Sequence, residues 1–149
     1  MHIYTKASIT ALTAMTVALG TATSASAATN PVSACGSGYY VQEKKPLVRA
    51  TLAEADAVVY LLYNASTGYN CVVTVHQNRT DGVPQDTMAG IRVEGGSWST
   101  DRGDYKSYAG PVRVQAKGKC IQFKGGIEFP SASGTYHWDE YVSSIGHCG

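Results

Sequence analysis

The chain has 149 residues, 44% hydrophobic and 15% charged, with 12 Lys+Arg against 11 Asp+Glu and a formal net charge of +1. That length suits one compact domain. The balanced charge gives no electrostatic reason to expect nucleic acid or an anionic membrane as partner, and the longest basic run, Lys44-Lys45, is too short for a patch.

The first segment reads as an export signal. Met1–Lys6 carries one cationic side chain, Ala7–Gly20 is uncharged and mostly apolar or small, and Ala25-Ser26-Ala27 supplies a small-x-small cleavage pattern. This predicts a secretory signal peptide over 1–27, with a single domain over 28–149. The leader is too short and too rich in Thr and Ser for a membrane span, and no other stretch approaches the roughly 18 apolar residues a span needs. Removing Lys6 brings the net charge to zero.

Along the remainder, Ala28–Ala34 is small and polar and reads as a frayed lead-in. Tyr39–Gln42 reads as a short strand closed off by Pro46. Ala50–Ala57 is ambiguous between a helical turn at Leu52–Ala55 and a loop or edge strand, and the loop or edge strand is favoured. Ala57–Tyr63 (AVVYLLY) and Asn70–Gln77 (NCVVTVHQ) are strands joined by a turn-rich connection. Setting Tyr60 opposite Val73 puts Val58, Tyr60, Leu62, Cys71, Val73 and Val75 on one face, taken as the buried one. His76 then points to the other face, towards solvent.

Asn78–Gln85 is a surface loop. Thr87–Glu94 is a strand with Ala89, Ile91 and Val93 on one face, ended by Gly95-Gly96. Ser97–Thr100 is a short strand and Asp101–Asp104 a turn. In Tyr108–Phe123, Val112, Val114 and Ala116 alternate with polar residues, and Ile121 and Phe123 do the same after Gly118. A two-residue loop at Lys117-Gly118 pairs Val114 with Ile121 and keeps every apolar side chain on one face. A three-residue loop at Lys124-Gly125-Gly126 then pairs Phe123 with Ile127. A three-stranded meander from Val112 to Phe129 follows. Pro130 ends it, and Tyr136–Val142 is the last strand. With no sustained helical period, the fold class is all-β: an antiparallel sandwich or partly closed barrel of about seven to nine strands.

Cys35, Cys71, Cys120 and Cys148 all lie beyond the leader. An even number in an exported chain of this size reads as two disulfides. No C-x-x-C spacing points to a metal or redox motif. Of the three connectivities, Cys35–Cys71 with Cys120–Cys148 is favoured, because each bridge ties a terminal segment to a nearby strand.

Several stretches together resemble the spore-associated protein A family of Streptomyces and related actinomycetes. They are Cys35-Gly36-Ser37-Gly38-Tyr39; Val59–Asn64 with Thr67-Gly68 and Asn70–Thr74; Tyr108–Val112; and His147-Cys148-Gly149. The resemblance spans most of the chain after the leader and keeps all four cysteines. It implies a small secreted protein found with spores or the cell exterior, with no catalytic role to carry over to any residue. Lys44–Glu54 departs from the family by being longer and more charged, and Tyr136–Tyr141 by being more aromatic and acidic.

Residue types give little support for catalysis. His76, His137 and His147 have no nucleophile elbow around Ser97, Ser131, Ser143 or Ser144. The adjacent Asp139 and Glu140 point to opposite faces of a strand, which argues against a carboxylate pair. No catalytic, metal or cofactor site is assigned. Arg102-Gly103-Asp104 reads as a chance β-turn, and Asn64-Ala65-Ser66 and Asn78-Arg79-Thr80 matter as glycosylation sequons only in a eukaryotic secretory pathway. Trp98, Trp138, Tyr136 and Tyr108 are the candidate ligand-binding residues, because aromatics on a β scaffold make stacking platforms for sugars. The competing reading is that they are half-buried core residues. The expected function is a secreted, non-enzymatic protein of the spore or cell-wall surface. The alternatives are a carbohydrate-binding module and a protease inhibitor presenting Arg79 on the Asn78–Gln85 loop.

Overall fold

The computed structural model describes residues 29–49, 53–131 and 133–149. The predicted leader lies outside the described residues, as do Ala50, Thr51 and Leu52 of the ambiguous segment. A one-turn helix, α1 (Pro31–Cys35), precedes eight strands: β1 (Tyr40–Val48), β2 (Ala55–Asn64), β3 (Tyr69–His76), β4 (Gln85–Val93), β5 (Ser99–Tyr105), β6 (Tyr108–Gln115), β7 (Ile121–Pro130) and β8 (Tyr136–Val142). They form two antiparallel four-stranded sheets, ordered β1-β2-β3-β6 and β5-β4-β7-β8. The all-β expectation holds, as a sandwich and not as a closed barrel.

The lead-in contains a helix that the sequence reading missed. Asn30 caps it, its Oδ1 accepting from the Val32 N–H at 2.9 Å, and Pro31 occupies the first turn, where no N–H is needed. Arg113 closes the other end by donating to the carbonyls of Cys35 (2.8 Å) and Ala34 (3.3 Å).

The core lies between the sheets. Ala57, Val59, Leu61 and Val72 of the first sheet meet Ala89, Ile91, Ile121, Phe123 and Ile127 of the second. Each fully buried branched or aromatic side chain contributes about 1.5–3 kcal/mol relative to exposure. The β2–β3 register is the expected one, Tyr60 opposite Val73. The expected inward face, however, is the outward one. Leu62, Cys71, Val73 and Val75 are buried in a separate cluster with Cys35, Val32, Ala34, Tyr39, Tyr60 and Tyr108. Both parities of AVVYLLY are apolar because β2 is covered on both faces, so its pattern could not say which side holds the main core.

Four more expectations are corrected. β1 runs through Pro46, which pairs opposite Val58. It is an edge strand, where a missing N–H costs no ladder bond. Asp101–Asp104 is not a turn but the middle of β5, another edge, so Arg102-Gly103-Asp104 is strand and not turn. His76 is buried, not solvent-facing. The meander does not form: β6 pairs with β3 and β7 with β4. The turn after Ala116 is real, with Lys119 N–H donating to Ala116 O at 3.0 Å, but it carries the chain from one sheet to the other.

Gly125 and Gly126 are therefore inside β7 and not in a loop. Gly125 faces the interior, against Val59 and Thr74 of the other sheet. A Cβ there would overlap Thr74 Oγ1 and stand 2.5 Å from Val59 Cγ2. Glycine here is a close-approach residue, the other meaning of glycine in a strand.

The cysteines pair as favoured, Cys35–Cys71 and Cys120–Cys148, and no described cysteine is free. Their sequence separations of 36 and 28 correspond to about 3.5–4 kcal/mol each in the chain-entropy account.

Candidate functional site

The outer face of the second sheet gathers three of the four predicted aromatic residues. Strand alternation and register place Tyr136, Trp138 and Glu140 of β8 outward, beside Gly126 and Glu128 of β7. The opposite β8 face looks inward, with Tyr141 packed 5.6 Å from Phe123 and His137 6.3 Å from Phe129, ring centre to ring centre. Asp86, Met88, Gly90 and Arg92 of β4 and Thr100, Arg102 and Asp104 of β5 complete the outer face.

Trp138 lies over Gly126, and its Nε1 donates to Glu140 at 3.2 Å. The Arg102 guanidinium sits 4.2 Å from its ring centre. Asp86 aims that guanidinium through a forked pair of bonds at 3.0 and 2.6 Å. Tyr136, opposite Pro130 at the strand's start, is 66% exposed.

Trp98 enters from the loop between β4 and β5. Arg92 lies 5.0 Å and Lys124 Nζ 4.7 Å from its ring centre. Both cations are positioned by the sheet. Arg92 donates twice to Gln122 Oε1, at 2.9 and 2.6 Å, and Gln122 is itself bonded to Ser143 O at 2.7 Å. Lys124 lies beside Gly90, its Cε 3.0 Å from where a Cβ on that glycine would stand. Both tryptophans are half-buried, and both hold cations against their rings.

Tyr108 is not part of this face. It belongs to β6, opposite Val75, on the outer side of the other sheet. There it lines an open cleft of about 320 Å³ with Tyr105, Lys106, Ser107 and Gly110. Tyr105 donates to Asp101 at 2.5 Å, and the same carboxylate accepts from Gly110 N–H at 2.6 Å. This stitches β5 to β6 across the sandwich edge and raises the Tyr105 phenol above its usual range.

The sequence reading missed a polar constellation where β2 begins. Asp56 is almost completely buried and is ion-paired to Arg49 at 2.7 Å and Arg79 at 3.0 Å. Arg49 also stacks on Phe129, 3.8 Å from the ring centre. An acid inside the apolar run ADAVVYLL was the available signal, since a buried carboxylate requires partners. Asp139 is nearby and half-buried. Burial first, and then the charge of Asp56, raise its carboxyl above the ordinary range. His76 Nδ1–H donates to Thr80 O at 2.9 Å, and Nε2 lies 2.7 Å from Thr87 Oγ1. Burial lowers its pKa against the opposing influence of the Thr80 carbonyl. Arg79, the sequence candidate for an inhibitory loop, sits in a 3-10 turn with its guanidinium tied to Asp56.

The C-terminal tail is fastened to both sheets. Cys148 bridges to Cys120, Gly146 exchanges backbone bonds with Ile121 at 2.8 and 2.9 Å, and Gly149 O accepts from Gly118 N–H. His147 bonds Glu43 of β1 at 2.7 Å. Burial pushes Glu43 upward, but the bonds from His147 and Lys45 outweigh it and hold the carboxyl below its usual range. Among the described residues, no group of three His, Cys, Asp or Glu side chains is placed to hold a metal ion. No helix there is long and apolar enough to cross a membrane.

This sandwich with two bridges can be set beside known proteins. The chain is 43% identical over 115 residues to spore-associated protein A of Streptomyces coelicolor, covering 73% of this chain and 70% of that protein. The chain belongs to the spore-associated protein A family. No family model matches it, and no solved structure matches it significantly. The family assignment agrees with the cysteine and Tyr-rich motifs that pointed to it, and it brings no residue-level role with it.

Proposed function

We propose that this member of the family is a secreted, non-enzymatic protein that attaches to the spore or cell surface. The observation that carries this reading is its 43% identity to a protein named for spore association. The two disulfides support it, because such crosslinks persist in oxidising, extracytoplasmic surroundings. The leader pattern read in the sequence over 1–27 supports export. The test is fractionation of intact spores, their wash and the medium, with immunodetection. Recovery in the wash or on spores is expected, and protein found only in the cytoplasm defeats the reading.

A carbohydrate-binding role is the second reading, favoured by Trp98 and Trp138 sharing the outer face of one sheet. A Trp138→Ala variant is expected to lose retention on cell-wall polysaccharide. Equal retention removes Trp138 from that role. The inhibitor reading is weaker, because the Arg79 guanidinium is engaged by Asp56 and not held free for a protease pocket.

A further inference from the structure

We propose that the Trp98 end of the outer sheet face binds an anionic polysaccharide. Arg92 and Lys124 take its acid groups, and the indole of Trp98 forms the apolar wall beside them. The inference deepens the carbohydrate-binding reading by naming the end of the sheet and the charge of the ligand.

Three observations carry it. First, the two cations converge on one aromatic ring, at 5.0 and 4.7 Å from its centre, and neither forms an ion pair among the described residues. The other well-placed cation of this face, Arg102, is neutralised by Asp86. The acids Glu128 and Glu140 lie towards the Trp138 end, and Glu94, at the rim beyond Arg92, bonds neither cation. Arg92 and Lys124 therefore carry charge that no carboxylate among the described residues pairs directly, although the chain as a whole is nearly neutral.

Second, the cations are held in advance. Gln122 fixes the Arg92 fork through a single acceptor and is fixed in turn by Ser143. The Lys124 stem lies against Gly90, its Cε and Cγ 3.0 and 3.1 Å from where a Cβ on that glycine would stand. Side chains ordered before binding lose less entropy on binding. Third, the ligand chemistry follows from the group types. A guanidinium and an ammonium pair with carboxylate or another acid group. An indole edge or face packs against the C–H surface of a sugar ring, and Thr100, next to Gly90, adds a hydroxyl. A uronic acid polymer presents a carboxylate, a C–H ring surface and hydroxyls in every repeat.

The test uses the purified, disulfide-bonded protein without its leader on two immobilised matrices, polygalacturonate and its fully methyl-esterified form. These share a backbone and differ in charge. Retention on the acid form, released by salt, and little retention on the ester are expected. Arg92→Gln with Lys124→Gln should weaken binding at least about tenfold. Trp98→Phe, which keeps a ring, should weaken it less than Trp98→Ala. Lys44→Gln with Lys106→Gln removes the same charge from β1 of the other sheet and from the β5–β6 turn at the opposite end of β4, and should leave retention intact. Equal binding to both matrices, equal loss in the distant control, or unchanged binding by a correctly folded Arg92/Lys124 variant would each overturn the proposal. A protein that washes from spores as expected but ignores polygalacturonate refutes this inference alone and leaves surface attachment standing.

Discussion

The indole of Trp138 lies directly over Gly126: a Cβ built on the glycine would overlap Cζ2 and stand 2.8 Å from Cε2. The tryptophan on β8 and the glycine on β7 are thus one packing unit. The missing side chain is what lets the ring cross the sheet towards Arg102.

Gly126→Ala is expected to expel the indole from its seat. Overpacking of this kind costs about 1–3 kcal/mol, which lowers the melting temperature by several degrees. In a Trp98→Phe background, the remaining tryptophan emission should shift to the red. An unshifted spectrum would mean that the ring does not rest on Gly126.

Gly125→Ala should be worse, although it lies next door and makes the same chemical change. Its Cβ would stand 2.5 Å from Val59 Cγ2 and overlap Thr74 Oγ1. Thr74 is not free to yield, because it donates to Met88 O across the sandwich at 2.7 Å. Relief then requires moving one sheet from the other, and a loss of about 3 kcal/mol or more is expected, measured by urea unfolding.

These two glycines also mark where the sequence ceased to be legible. Alternation correctly located β2, β3, β4 and β8, and the two ends of β7 but not its unbroken middle, because period-2 patterns depend only on a strand having two unlike faces. The same pattern does not record the partner across the ladder. Val114 opposite Ile121 keeps the apolar side chains together as well as the actual pairings, Asn70 with Val114 and Val93 with Ile121. A Gly-Gly pair means a turn in local terms and a close approach in tertiary terms, and only the tertiary neighbours, Thr74 and Val59 for Gly125 and Trp138 for Gly126, decide between them. The candidate site shows the same division. Tyr136 and Trp138, two residues apart on one strand, share a face by alternation alone, whereas the meeting of Trp98 with Arg92 and Lys124 joins three segments and left no local mark. Asp56 did leave one, as an acid in an apolar strand.

His76 makes the fold sensitive to mild acid. Its imidazole is buried and its pKa is lowered by that burial. With the folded value below the ordinary 6.5, the unfolded chain binds the proton more readily between the two. Stability is therefore full above about 6.5 and declines as pH falls from there through the lowered folded value. One group gives a slope of at most about 1.4 kcal/mol per pH unit. Urea midpoints at pH 7.5, 6.5 and 5.5 should follow this decline. His76→Gln should flatten it, although the variant starts from a lower stability.

Asp139 acts in the opposite sense. Its folded pKa is raised above the ordinary 3.8, by burial and then by the negative charge of Asp56. The folded protein holds this proton more tightly, so stability falls as pH rises from 3.8 through the raised value, and the penalty persists at neutral pH. Asp139→Asn should raise the urea midpoint at pH 7, with the gain vanishing as pH approaches the ordinary carboxylate value. A destabilised variant at pH 7 would mean that the carboxylate makes a bond worth more than its desolvation.

The two disulfides should not be equivalent, although their loops of 36 and 28 residues make them almost equal in chain entropy, at about 3.5–4 kcal/mol. Cys35–Cys71 also pins α1 over Leu62, Val73 and Val75. Cys120–Cys148 holds a tail that keeps its own bonds, Gly146 to Ile121 and His147 to Glu43. Replacing Cys35 and Cys71 by Ser should therefore cost more than replacing Cys120 and Cys148. It should also expose an apolar face that binds a hydrophobic dye before global unfolding. The Cys120/Cys148 variant should lose stability without that early dye signal, and dye binding of equal size in both would show that α1 stays in place without its bridge.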